Sequence, residues 1–188
     1  KNFVRALQKF GLQQSPYDCC LFVGGKTIND LTIVIFYVDD VLISAKEPRR
    51  VQVVQQLLSS VFPMKKLGPP RLWTGIEVTP LPEGGYFLSQ TEYIKRAARR
   101  LNLSGCSSSR LPCSSLLKRD DGSPPASPAV QNGLYRATIG TLLWISLHTR
   151  PDICFAVTQA ARFCENPSAL HWSAVKQIVG YLLSTCGL

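Results

Sequence analysis

Asp39 and Asp40 stand side by side in Tyr37-Val38-Asp39-Asp40, and adjacent carboxylates are an unusual chemical resource. Two like charges held together repel, which raises a pKa unless a cation sits between them. A hard divalent ion such as magnesium binds through one or two carboxylates, its remaining positions going to water and substrate phosphates. Two such ions can clamp the attacking and leaving oxygens of an in-line phosphoryl displacement. A structural alternative exists: aspartate is common in turns because its side chain bonds its own backbone and tolerates unusual dihedrals. From these residues alone both readings stand.

The flanking residues decide how such a pair is held. Leu31-Thr32-Ile33-Val34-Ile35-Phe36 leads in and Val41-Leu42-Ile43-Ser44-Ala45 leads out, both rich in β-branched and aromatic residues, so an apolar hairpin with the acids at its tip is predicted. Pro48 suits the first turn of a helix running to about Phe62, with Val51, Val54, Leu58 and Val61 as a stripe for packing on a sheet. Strands over 72–79 and 86–88 are expected to pair across the turn-rich 80–85. Ser89 and Glu92 have capping-box spacing before a helix whose Ile94, Ala97, Ala98 and Leu101 make an apolar stripe. Lys95, Arg96, Arg99 and Arg100 fall on its other faces, free to meet phosphates. Residues 104–131 turn to Ser and Pro, including Pro112, Pro124, Pro125 and Pro128, and read as a mobile linker. Three helical patterns follow, over 134–147, 151–164 and 168–183, the last with Trp172, Val175, Val179 and Leu182 inward; Arg150 and Asp152 read as a structural pair at a helix start.

At 188 residues and 45% hydrophobic content the chain can bury one core or two small ones. A formal net charge of +9 favours polyanions through counterion release, although basic chains are also simply soluble. The seven cysteines include no Cys-x-x-Cys pair, and His148 and His171 lie far from any cysteine pair, so buried or incidental thiols are expected in place of a zinc site or disulfide framework. No hydrolase triad with a supporting motif and no phosphate-cradling glycine loop is present. With no signal-like N-terminal run and no apolar stretch near ~20 residues, the reading is intracellular, in cytoplasm or nucleus, not secreted and without a membrane partner.

Gly11-Leu12-Gln13-Gln14-Ser15-Pro16-Tyr17-Asp18-Cys19-Cys20-Leu21-Phe22, then 37–45, then Phe62-Pro63-Met64-Lys65-Lys66-Leu67-Gly68, then Leu72-Trp73-Thr74-Gly75-Ile76-Glu77-Val78 and Leu88-Ser89-Gln90-Thr91-Glu92-Tyr93-Ile94 fall in an order that resembles the reverse transcriptase of copia-type retrotransposons. Leu134-Tyr135-Arg136, Thr149-Arg150-Pro151-Asp152-Ile153 and His171-Trp172-Ser173-Ala174-Val175-Lys176 are similar to the connection preceding that family's ribonuclease H. The resemblance implies an α+β chain: a partial polymerase palm, an antiparallel sheet with packed helices, over 1–103, a Ser/Pro-rich linker over 104–132, and a small helical connection module over 133–188. It implies that Asp39 and Asp40 hold catalytic magnesium, two ions in the parent enzyme, and that Tyr37 lies beneath the primer terminus. It further implies that Trp73 and Gly75 position the primer, and that Lys95, Arg96, Arg99 and Arg100 meet nucleic acid. Lys65 sits where related polymerases carry a basic residue able to protonate departing pyrophosphate; its plain reading is a solvated helix end. The implied partners are an RNA or DNA template-primer, deoxynucleotides and the remainder of a Pol polyprotein.

In that family the first catalytic aspartate lies upstream of the hairpin, and no matching segment occurs between Lys1 and Phe22. The expectation is therefore a fragment of an RNA-directed DNA polymerase that is inactive alone, its enzymatic status open. The alternative is a non-enzymatic remnant, a basic nucleic-acid-binding protein. Thr74 replaces an aliphatic residue usual in the primer grip, and Gly180 interrupts a helix at ~1 kcal/mol relative to alanine, changes that suit a decaying copy.

Overall fold

The computed structural model describes residues 2–119 and 122–187, which divide into two compact units at the Pro70–Arg71 junction. Both mix helices with antiparallel sheet, the expected α+β class.

The first unit runs α1 (Asn2–Lys9), β1 (Gln13–Gln14), β2 (Leu21–Gly24), β3 (Thr32–Tyr37), β4 (Asp40–Ala45) and α2 (Pro48–Val61). Its four strands lie in sequence order and every pairing is antiparallel. The β3–β4 register joins Val34 to Ile43, Phe36 to Val41 and Tyr37 to Asp40. Side chains alternate across a strand. Val34, Phe36, Val41 and Ile43 therefore share the face that meets the helices, where they pack with Leu7, Leu12, Phe22, Val54 and Leu58. Of the predicted α2 stripe, Val54 and Leu58 are fully buried, whereas Val61 is exposed at the last turn. Arg50 ties α2 to the sheet: its Nε donates to the buried Thr32 hydroxyl at 2.8 Å. The opposite face carries Leu21, Val23, Ile33, Ile35 and Leu42, none of them fully buried.

The second unit begins with a three-stranded antiparallel sheet, β5 (Leu72–Trp73), β6 (Ile76–Pro80) and β7 (Tyr86–Ser89). The stretch expected as a single strand over 72–79 instead folds back on itself at Thr74–Gly75. Both residues take positive φ, 51° and 88°, the signature of a two-residue hairpin turn whose twist matches the strands. The expected pairing across 80–85 is present, with Val78 opposite Leu88. Then come α3 (Thr91–Arg100), α4 (Tyr135–His148), α5 (Cys154–Ala161, preceded by a tight turn at Pro151–Ile153) and α6 (Ala169–Ser184). Ile94, Ala98, Tyr135, Ile139, Leu142, Ile145, Val157, Val175, Val179 and Leu182 form its core, drawn from all four helices.

Three further details of the second unit depart from expectation. Ser89 does not cap α3: its hydroxyl donates at 2.6 Å to the Glu77 carboxylate across the sheet, and the other Glu77 oxygen accepts from the Glu92 backbone at 2.8 Å. A carboxylate from β6 thus does at long range what the local pair was expected to do, and Glu92 turns to Lys95 at 3.0 Å. The Ser/Pro-rich stretch has no regular element over 104–119 but is pinned along α6. Ser184 donates to the Ser109 carbonyl, Gln177 to the Leu111 carbonyl, and the His171 ring meets the Lys118 carbonyl at 2.8 Å. Gly180 leaves α6 unbroken, and a Cβ there would collide with the Ser107 carbonyl, so this glycine is a contact point and not a blemish.

Candidate functional site

The tip of the first unit's central hairpin is a two-residue turn, Val38–Asp39, closed by the Tyr37–Asp40 pair. Only Val38, the first of the two, has a positive φ, 53°. Glycine normally fills that position in a two-residue hairpin, because a β-branched side chain there crowds its own backbone. Strain of ~1–3 kcal/mol is thereby stored at the turn and held by the ladder on both sides. Its consequence is placement. Asp39 sits at the crest, and Asp40 begins β4 on the side of the sheet facing away from α1 and α2, across from Tyr37.

Tyr37, Val38, Asp39 and Asp40 are all exposed. Neither carboxylate makes a side-chain hydrogen bond or ion pair among the described residues. This is the arrangement that two hard oxygen donors need for a hard divalent cation: available, adjacent and anchored by strands, with too few protein ligands to complete a shell without water or phosphate. Lys65 lies beyond the end of α2 in an irregular, exposed segment, and no side-chain hydrogen bond or ion pair joins it to the turn among the described residues.

The remaining expected site residues belong to the second unit. Trp73 is half-buried and pairs with Ile76; Gly75 forms the turn beside it, where a Cβ would lie 3.3 Å from the Tyr93 ring. Lys95, Arg96, Arg99 and Arg100 are exposed on α3, opposite the buried Ile94, Ala97 and Ala98. They are not equally free. Lys95 is paired with Glu92 at 3.0 Å, which raises its pKa, and Arg96 lies over the Tyr93 ring at 5.9 Å. Arg150 and Asp152 form the expected structural pair, through two hydrogen bonds of 3.0 and 2.7 Å, and the Thr185 carbonyl and hydroxyl complete the buried guanidinium's partners.

One grouping escaped sequence reading. The Asp18 carboxylate and the Cys19 and Cys20 thiols, all exposed, present ligand atoms within 4.8 Å of one another. The other five cysteines are half-buried, as expected of incidental thiols. The readable signal was the vicinal cysteine pair following an aspartate able to form a turn, not any Cys-x-x-Cys spacing.

The motif describing the reverse transcriptase (RNA-dependent DNA polymerase) family matches residues 1–115, more than half the chain. The chain belongs to that reverse transcriptase family. Among curated relatives, a retrovirus-related Pol polyprotein from transposon TNT 1-94 of Nicotiana tabacum is 33% identical over 175 residues, 90% of this chain and 13% of that protein. The Pol polyprotein from transposon RE1 of Arabidopsis thaliana is 32% identical over 95% of this chain and 12% of its own length. A putative transposon Ty5-1 protein of Saccharomyces cerevisiae is 29% identical over 95% of this chain and 57% of its own. This reverse transcriptase segment therefore spans about an eighth of the plant polyproteins that it matches, and copia-type transposons are its context. No solved structure matches it. Among the described residues no helix is long and apolar enough to cross a membrane.

Proposed function

We propose that the first unit is part of the palm of an RNA-directed DNA polymerase, and that Asp39 and Asp40 hold divalent metal for nucleotide addition to a primer. One observation carries this reading: two adjacent, unpaired carboxylates stand at a strained hairpin tip in a reverse transcriptase chain. Magnesium bound there would offset phosphate charge and favour ionisation of the primer hydroxyl. The chain's own residues supply position. Tyr37, across from Asp40, offers an exposed ring on which the primer end can rest, and β3 and β4 keep the acids from moving. Trp73 and Gly75 would steady the primer strand, and the cations of α3 would meet its phosphates. Lys65 is a candidate acid for pyrophosphate, and α4 to α6 fit a connection towards ribonuclease H in a longer polyprotein.

The test is primer extension by the parent polyprotein carrying Asp39→Asn or Asp40→Asn. Loss of ~100-fold or more with template-primer binding intact is expected, because the substitution removes charge stabilisation that operates in the reaction itself. Undiminished extension in the double variant would overturn the assignment. Silence is expected of a polypeptide of these 188 residues alone, because no segment matching the family's upstream aspartate occurs between Lys1 and Phe22.

A further inference from the structure

The turn at Asp18–Cys20 that leads into β2 is built more firmly than an exposed loop requires. Asp18 Oδ1 accepts from the Cys20 backbone at 2.8 Å, and the Leu21 amide donates to the Asp18 carbonyl at 3.1 Å. Gln14 donates to the Cys19 carbonyl at 2.7 Å, and the Phe36 amide donates to the Cys20 carbonyl at 3.0 Å. These bonds fix the backbone of three consecutive residues whose ligand atoms converge within 4.8 Å, and every one of those side chains is exposed. Phe36 immediately precedes Tyr37, so the cluster borders the catalytic turn along the same sheet end.

We propose that Asp18, Cys19 and Cys20 form a site for a soft divalent cation of the zinc class, separate in chemistry from the carboxylate pair beside it. Tetrahedral zinc with Zn–S bonds of ~2.3 Å holds two sulfurs ~3.8 Å apart, so the observed cluster needs to close by ~1 Å at most, within the reach of side-chain rotation. Thiolates select zinc or cadmium over magnesium, which demands six oxygen ligands in near-octahedral order. The ion takes two sulfurs, one carboxylate oxygen and a water. Both thiols lose their protons to solvent as the two metal–sulfur bonds form, and no electron is transferred. The site draws on none of the residues assigned to catalysis, so it stands or falls independently of polymerase activity.

Cadmium titration of the reduced 188-residue chain tests it, followed by thiolate-to-cadmium charge-transfer absorbance and cadmium-113 NMR. One equivalent bound with a two-sulfur resonance is expected in the wild type, and its loss is expected in the Cys19→Ser/Cys20→Ser double variant. Asp18→Asn keeps an oxygen for the Cys20 amide and so keeps the turn; it is expected to shift the resonance and weaken binding by at least ~10-fold. The same band and stoichiometry in the double variant, or no charge-transfer band in the wild type, overturns the site. An unshifted resonance in Asp18→Asn overturns the three-ligand arrangement.

Discussion

Val38 is where local preference and the hairpin disagree. A β-branched residue at φ 53° is held there only because the Tyr37–Asp40 pair and the ladder behind it leave the turn no other path. Replacing it with glycine removes the crowding and adds backbone freedom to the unfolded chain, a smaller and opposite effect. Val38→Gly is therefore expected to stabilise the chain by ~1 kcal/mol, read as a higher urea midpoint with an unchanged slope. A drop in midpoint would show that the valine is not strained. Thr74 presents the same conflict at φ 51° in the second hairpin, which explains why a residue that looked like a departure in a strand is in fact a turn position.

Elements in the second unit are joined by contacts far apart in sequence. In an exposed helix Gly→Ala stabilises by ~1 kcal/mol. At Gly180 the added methyl would meet the Ser107 carbonyl, which is backbone and cannot rotate away. Gly180→Ala is expected to lower the melting temperature and to loosen residues 104–119, seen as faster amide exchange there; a rise in melting temperature would refute the contact. The His171 ring, in the first turn of the same helix, is also fixed by a residue far away in the chain. Its Nδ1 accepts from the Ser168 amide at 3.0 Å, so Nε2 carries the hydrogen that meets the Lys118 carbonyl. On α3, Arg99 and Arg100 are the two cations with no acidic or aromatic partner among the described residues. Replacing both with glutamine is expected to lower the salt-dependence slope of template-primer binding by about one per arginine. An unchanged slope would remove this helix from the interface.

Across the whole molecule each unit carries its own core and its own acid-sensitive aspartate. In the first, the Lys26 and Thr27 amides and the Thr27 hydroxyl surround Asp30 and hold its carboxyl well below the usual range. In the second, Arg150 does the same for Asp152, aided by the Tyr181 hydroxyl at 2.8 Å. A depressed native pKa contributes stability above the unfolded value of ~3.9, lost as pH falls through the native one. Acid unfolding that starts below about pH 4 is therefore expected by circular dichroism, with a flatter profile in Asp30→Asn. Burial pushes the Tyr135 phenol the other way, so its contribution is present below the unfolded value of ~10 and lost as pH rises through its native one.

Periodicity and turn chemistry are local, and most of what is local was legible, although the turn at Thr74–Gly75 and the Asp18-Cys19-Cys20 grouping were not read. The Asp39–Asp40 hairpin, the α2 stripe, the α3 division into apolar and basic faces and the inward residues of α6 follow from side-chain spacing alone. So does family membership, because ordered motifs persist in sequence. Tertiary structure decided what depends on partners distant in the chain. Glu77 displaced Ser89 as the cap of α3, Ser107 made Gly180 necessary, and α6 captured the Ser/Pro-rich stretch. A hydrogen bond or a steric contact is set by where two backbones meet, and no spacing within one segment encodes that meeting.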